Sequence, residues 1–337
     1  MRRLLALFIT TVLALAACST AAGPVAPASG SRPGTTAASG PAPVLGLTYI
    51  PNIQFSPFYV AAKQGLFGTT VKLRHHGASE GLFTALTTGD EQFVVAGGDE
   101  LLQARAEGAD LVAVASYYRR YPVRIIVPAD SPITSAADLK GRTVGVPGRY
   151  GETWFGLKLA LAGAGLTETD VKVLEIGYTQ QAALATQKVD AVMGFVNGDA
   201  VAMTLAGFPT RSVELGSDVG LVSICLITTR AYATAHPDTV RAVVRGTVAG
   251  MTAVVKDPAA AVTTSEAYVP GLTDPKAKQT ATAVLAATTP LFQAADGTVS
   301  GRLDQAQWQT MSDRMVTLGL LTKPAPANEA MTNDYLG

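Results

Sequence analysis

Nine short β-like runs recur along the chain, at residues 44–49, 70–73, 93–96, 111–115, 124–127, 143–146, 171–176, 191–194 and 222–227, and helical patterning fills the stretches between them. Runs of this length suit strands, and the near-continuous apolar character of those at 93–96, 111–115 and 222–227 suits strands buried on both faces. Regular alternation with helices predicts an α/β fold on largely parallel sheets covered by helices on either side. The punctuation agrees. Ser56 is placed to cap a helix with Pro57 at its first position, Ser79 and Glu80 to open a second that Gly89 closes, and Asp99 to open a third that Gly108 ends. His236-Pro237-Asp238 precedes a long amphipathic pattern through Val240, Val243, Val244, Val248, Met251 and Val255.

The amino terminus is of another kind. Arg2 and Arg3 precede an apolar run over residues 4–17, too short to span a bilayer comfortably, which stops at Leu15-Ala16-Ala17-Cys18. This is the layout of a lipoprotein signal: residues 1–17 are removed and the Cys18 thiol carries a diacylglycerol, so the expected location is extracytoplasmic, at the membrane surface. Residues 18–43 are almost entirely Ala, Gly, Pro, Ser and Thr with the single charge of Arg32, a composition that buries no core and predicts a flexible tether. Cleavage leaves 24 basic against 26 acidic residues, a balance that argues against nucleic acid as a partner.

Folding therefore begins near Val44, and about 290 residues remain, more than one core usually supports. Two lobes are expected, with the chain crossing between them near residues 122–129 and 221–229, which makes lobe 1 discontinuous (44–126 and 223–337) around lobe 2 (127–222). Beyond Cys18 there is only Cys225, inside an apolar run, so no disulfide or cysteine metal site can form within one chain. His75 and His76 have no third ligand signature and read as surface imidazoles, and Asp90 and Glu91 as solvated carboxylates. Neither a metal nor a cofactor is expected, and no Walker loop, nucleophile elbow or zinc-protease helix occurs.

Ligands of parallel α/β sheets bind beyond the carboxyl ends of the strands, where loops turn into helix N-termini. Five polar turns have that form, at residues 49–56, 97–100, 147–152, 177–180 and 195–199. The first crowds Tyr49, Asn52, Gln54, Phe55 and Tyr59 together in a chain with only 7% aromatic residues, a set suited to a flat heteroaromatic ring: faces for stacking, amides for ring nitrogens and amino groups. The others supply Gly98, Asp99, Arg149, Tyr150, Glu152, Tyr178 and Asn197, with Glu152 placed to pair with an exocyclic amine or protonated ring nitrogen. Tyr117 and Tyr121, in the Tyr-Tyr-Arg-Arg-Tyr segment, read either as a solvated surface or as a cleft wall that would lengthen the slot for a flavin.

Three segments carry a family resemblance: residues 45–67 with Tyr49-Ile50-Pro51-Asn52, residues 97–154 with Asp138-Leu139-Lys140-Gly141 before Thr143-Val144-Gly145-Val146, and residues 177–200 with Lys188-Val189-Asp190-Ala191-Val192. Together they resemble the NMT1/THI5-like, or SsuA-like, family of periplasmic binding proteins. The resemblance implies a type II binding-protein fold, two doubly wound lobes that close about a hinge on a ligand in the cleft, with delivery by a monomer to the permease and ATPase subunits of an ABC importer. Tyr49-Ile50-Pro51-Asn52 resembles the branch that binds vitamin-related heteroaromatics. A thiamin pyrimidine precursor is thus the first expectation, riboflavin the alternative, and the sulfonate or nitrate of other branches less favoured. The family's pyrimidine synthase carries a cysteine-rich motif that this chain lacks, so the expectation is a binding protein and not an enzyme.

Overall fold

The computed structural model describes residues 41–48, 50–77, 80–216 and 220–337. The signal segment, Cys18, nearly all of the tether, Tyr49 and Ser79 lie outside the described residues. Among the described residues ten strands are present: β1 (Val44–Leu47), β2 (Lys72–His75), β3 (Phe93–Gly97), β4 (Leu111–Ser116), β5 (Val123–Pro128), β6 (Thr143–Val146), β7 (Lys172–Glu175), β8 (Ala191–Phe195), β9 (Thr210–Val213) and β10 (Ile224–Thr229). They form two sheets of five, ordered β2-β1-β3-β10-β4 and β7-β6-β8-β5-β9. Between them run α1 (Ser56–Lys63), α2 (Thr84–Thr88), α3 (Gly98–Ala106), α4 (Gly151–Gly163), α5 (Gln180–Ala185), α6 (Asp199–Leu205), α7 (Arg230–Ala235), α8 (Pro237–Lys256), α9 (Pro258–Ser265), α10 (Pro275–Phe292) and α11 (Gln305–Thr317). This is a two-lobed α/β architecture.

The sheets are mixed where largely parallel ones were expected. β1 runs parallel to β2 and β3, and β6 parallel to β7 and β8, but β10 is antiparallel to both its neighbours and so is β5. The reason is topological. β5 follows β4 after six residues but belongs to the other sheet, and β10 returns from that sheet into the first. A strand arriving from the side where its neighbours end must run against them.

Period-two alternation explains the continuous apolar runs. In β3, Phe93 and Val95 face a core with α1, α8 and α10, whereas Val94 and Ala96 face a second core with α3, α4 and α11. That second core continues onto Val123, Ile125, Val144 and Val146 of the other sheet, and Cys225 is fully buried in it. On α8, Val240, Val243, Val244, Met251 and Val254 are each fully buried, and each contributes about 1.5–3 kcal/mol by leaving water. Gly250 lets α8 lie against α1, since a Cβ there would sit 2.2 Å from the Pro57 carbonyl oxygen. This close contact anchors α1 and the turn that precedes it.

Several local expectations are corrected. Ser56 does not cap α1: it is the first helical residue, its buried Oγ has no partner, and Asn52 caps the preceding 3-10 turn (Ile53–Phe55) by accepting from Gln54 N–H at 3.0 Å. α2 starts only at Thr84, because the Glu80 carboxylate is held by the Arg74 guanidinium and the Gly77 N–H. His76 and Glu91 are buried, with His76 Nε2 3.0 Å from Glu91 Oε2 and Arg74 Nε donating to Glu91 Oε1 at 2.6 Å. A carboxylate in the interior requires such partners, so Glu91 draws in both basic side chains from the end of β2.

Candidate functional site

A cavity of about 440 Å³ opens where the carboxyl ends of β1, β3, β6 and β8 meet the amino end of β10. Its volume falls within the range usual for small-molecule sites. Asn52, Gln54, Phe55, Tyr117, Tyr150, Glu152 and Tyr178 line it, from both sheets. The remaining sequence-derived candidates lie elsewhere. Tyr59 is fully buried, stacked on Tyr268 with ring centres 4.5 Å apart and its hydroxyl 2.9 Å from His75 Nε2. Gly98 packs under Val222 and Trp308. Arg149 is drawn outward by Glu168 and Glu175 and covers the Trp154 ring at 4.9 Å. Asn197 is fully buried, donating to Thr288 Oγ1 at 2.9 Å and to the Tyr118 hydroxyl at 3.4 Å, which joins the turn after β8 to α10 and to the end of β4. Asp99 and Tyr121 sit behind the wall, beneath Glu152.

Sequence reasoning missed Tyr118, Phe195, Gln180, Asp199 and Glu100 on the wall. Phe195 and Asp199 bounded a turn already recognised as polar, and Tyr118 stood between two candidates. No sequence signal separated the member of Tyr117-Tyr118 that faces the cavity, because both do. Phe58, Tyr117 and Tyr118 form a continuous stack with ring centres 5.0 and 5.1 Å apart, and the Tyr117 hydroxyl donates to the Gln54 carbonyl at 2.6 Å. This bond fixes the first turn against the ring wall. On the opposite side Tyr150 and Tyr178 are 55% and 60% exposed, with their hydroxyls 3.5 Å apart.

One end of the cavity is acidic. Glu152, at the start of α4, is 5% exposed; its Oε1 accepts from Ser223 Oγ at 2.8 Å and its Oε2 has no partner. Asp99 and Glu100 open α3 beside it. Burial, followed by repulsion from Asp99 and Glu100, pushes the Glu152 carboxyl well above its ordinary range, and burial does the same to Asp99. Helix N-termini oppose this by at most about 2 kcal/mol each. Leaving an unpaired carboxylate in the interior costs several kcal/mol, so burial dominates. A carboxyl whose folded-state value is raised binds a proton that the unfolded chain releases above about 4.5. Stability of the unliganded protein is therefore expected to fall as pH rises from 5 to 8, with a limiting slope of about 1.4 kcal/mol per pH unit for each such group. Urea denaturation at pH 5, 6.5 and 8 measures it, and a flat or rising profile contradicts the assignment.

Two five-stranded sheets, with a ring-lined cavity at the strand ends of both, define a ligand-binding protein of the two-lobed periplasmic type. Residues 52–261 match the NMT1/THI5-like family, and the chain belongs to that family. The riboflavin-binding protein RibY of Chloroflexus aurantiacus is 32% identical over 99% of this chain and 97% of its own length. A putative thiamine biosynthesis protein of Haemophilus influenzae is 35% identical, over 28% of this chain and 30% of its own. Among solved structures, the alkanesulfonate-binding protein SsuA of Xanthomonas axonopodis pv. citri, bound to MOPS, superposes with a TM-score of 0.67 over 88% of this chain and 99% of that one, at 24% identity, a likeness of fold. Among the described residues no helix is long and apolar enough to cross a membrane, and no cluster of His, Cys, Asp and Glu could hold a metal ion.

Proposed function

We propose that this protein captures riboflavin, or a closely related flavin, outside the cytoplasmic membrane and delivers it unchanged to the permease and ATPase of an ABC importer. The observation that carries the reading is the cavity wall: Phe55, Tyr117, Tyr118, Tyr150, Tyr178 and Phe195 line it, and no Lys, Arg or His is among its described lining residues. Such a wall suits a neutral, extended ring system and offers no cation to a sulfonate or nitrate. The near full-length likeness to RibY supports the flavin over the thiamin pyrimidine, for which the thiamine-related likeness covers less than a third of the chain.

In this reading the first sheet with its helices forms one lobe and the second sheet, β5 to β9 with its helices, the other, so the first boundary falls before Val123 and not inside β5. A ligand touching both lobes favours the closed state through its differential affinity. The protein acts as a monomer. Isothermal titration with riboflavin, 4-amino-5-hydroxymethyl-2-methylpyrimidine and an alkanesulfonate tests the ligand. Riboflavin is expected to bind at least tenfold more tightly than the pyrimidine, since each further stacked ring adds about 1–3 kcal/mol. Small-angle scattering should show a smaller radius of gyration with riboflavin bound, and chromatography should recover the vitamin unaltered. Binding of the pyrimidine or the sulfonate without riboflavin overturns the reading. We further propose that Cys18 anchors the protein by a lipid; Cys18→Ala should then shift it from the membrane to the soluble fraction.

A further inference from the structure

Three carboxyl groups converge on one point at the acidic end of the cavity. A Cβ placed on Gly97 would lie 2.4 Å from Asp99 Oδ1, 3.0 Å from Glu100 Oε2 and 3.4 Å from Glu152 Cγ, so only glycine at this position leaves them room. Their partners come from α3, α4 and the strands beside them. Asp99 Oδ1 accepts from Glu100 N–H at 2.8 Å and Glu100 Oε2 from Gly97 N–H at 2.9 Å. The Tyr121 hydroxyl lies 2.6 Å from the Glu152 main-chain carbonyl and 3.2 Å from Asp99 Oδ2. Having one hydrogen, it gives that hydrogen to the shorter contact, and a proton on Asp99 completes the longer one. The other titratable groups acting on the cluster are the buried Cys225 thiol of β10 and the buried Tyr118 hydroxyl; Asp199, across the cavity, accepts from Phe195 N–H at 2.7 Å. None of them can carry a positive charge.

Glu152 Oε2 is thus a buried carboxyl oxygen on the wall of the cavity, with no hydrogen-bond partner and no Lys, Arg or His among the described lining residues. We propose that Glu152 is held as a neutral carboxylic acid and recognises ligand as a hydrogen-bond donor, offering Oε2–H to a carbonyl oxygen or unprotonated ring nitrogen at the edge of a neutral heteroaromatic ring. Ser223 fills Oε1 and so directs the proton to Oε2. This reverses the polarity expected from the sequence, in which Glu152 pairs as a carboxylate with an amine. It rests on the flavin reading: the dione edge of a flavin presents carbonyl oxygens and bare ring nitrogens, whereas a protonated aminopyrimidine presents donors and a positive charge, and is rejected.

Glutamine reproduces a neutral acid, with Nε2–H as donor and Oε1 as acceptor for Ser223, but cannot ionise. Infrared difference spectra of unliganded wild type against Glu152→Gln at pH 7 should show a protonated-acid carbonyl band that belongs to Glu152. Glu152→Gln should bind riboflavin within about threefold of wild type, and Glu152→Ala about ten- to a hundredfold more weakly. A missing band overturns the neutral acid whatever the protein binds. A band with no riboflavin binding overturns the flavin reading and the pairing built on it. Losses of equal size in the Gln and Ala variants overturn the donor role alone.

Discussion

Tyr117→Ala is expected to lower the free energy of unfolding by about 3–5 kcal/mol, the usual cost of emptying a large aromatic site in a core. The ring is 2% exposed and touches Phe58, Tyr118 and Phe292 with centres 5.0 to 5.1 Å away, so its removal leaves a void bordered by three rings that belong to two helices and the end of β4. Tyr117→Phe keeps the stack and removes only the bond to the Gln54 carbonyl, for a loss of about 1 kcal/mol. Urea denaturation of both variants measures the difference. A Tyr117→Ala loss below about 1 kcal/mol would show that the stack does not hold the first turn in place. Because that turn carries Asn52, Gln54 and Phe55, the same variant should also weaken ligand binding.

The largest effect on affinity is expected from Tyr150→Ala combined with Tyr178→Ala. Both rings are more than half exposed at the cavity, in the turns that follow β6 and β7. Stacking of a heteroaromatic ring on a side chain is worth about 1–3 kcal/mol, so each substitution should weaken riboflavin binding by roughly fivefold to more than a hundredfold. The double variant should lose about the product, unless the two rings share one face of the ligand. Stability should change by no more than about 0.5 kcal/mol, as for other surface positions. Fluorescence titration together with thermal denaturation separates the two quantities. Unchanged affinity in the double variant would remove these rings from the site.

The contrast between the two predictions reflects a division of labour within the wall. Tyr117 and Tyr118, backed by Phe58, are buried rings that fix its shape, whereas Tyr150 and Tyr178 are rings more than half exposed beside the cavity. Large apolar groups held in water are unfavourable, and a ligand that covers them gains from their burial.

Much of this was legible in one sequence. The nine runs marked nine of the ten strands, because period-two burial on both faces leaves a continuous apolar signature, as in β3 and β4; β9, a partly exposed Thr-Arg-Ser-Val strand, left no such mark. The polar turns after those runs marked the cavity, since the carboxyl ends of neighbouring strands meet at one edge whatever the order of strands. Strand direction was not legible: the antiparallel setting of β5 and β10 follows from which sheet each joins, a matter of long-range pairing. Nor was the burial of His76 and Glu91, because a histidine and a carboxylate look solvated until Arg74 and each other are seen beside them.

The acidic end shows the boundary most clearly. Residue type and position at a helix start placed Glu152 at the strand ends, where it lines the cavity. Whether it acts there as acceptor or donor was decided by what the fold brought around it: Asp99 and Glu100 from a different helix, Ser223 from the turn into the returning strand, and no cation among the described lining residues. A side chain's identity is local, but its protonation is set by the dielectric and the charges within a few ångströms, and those arrive from residues as far as 71 positions away along the chain.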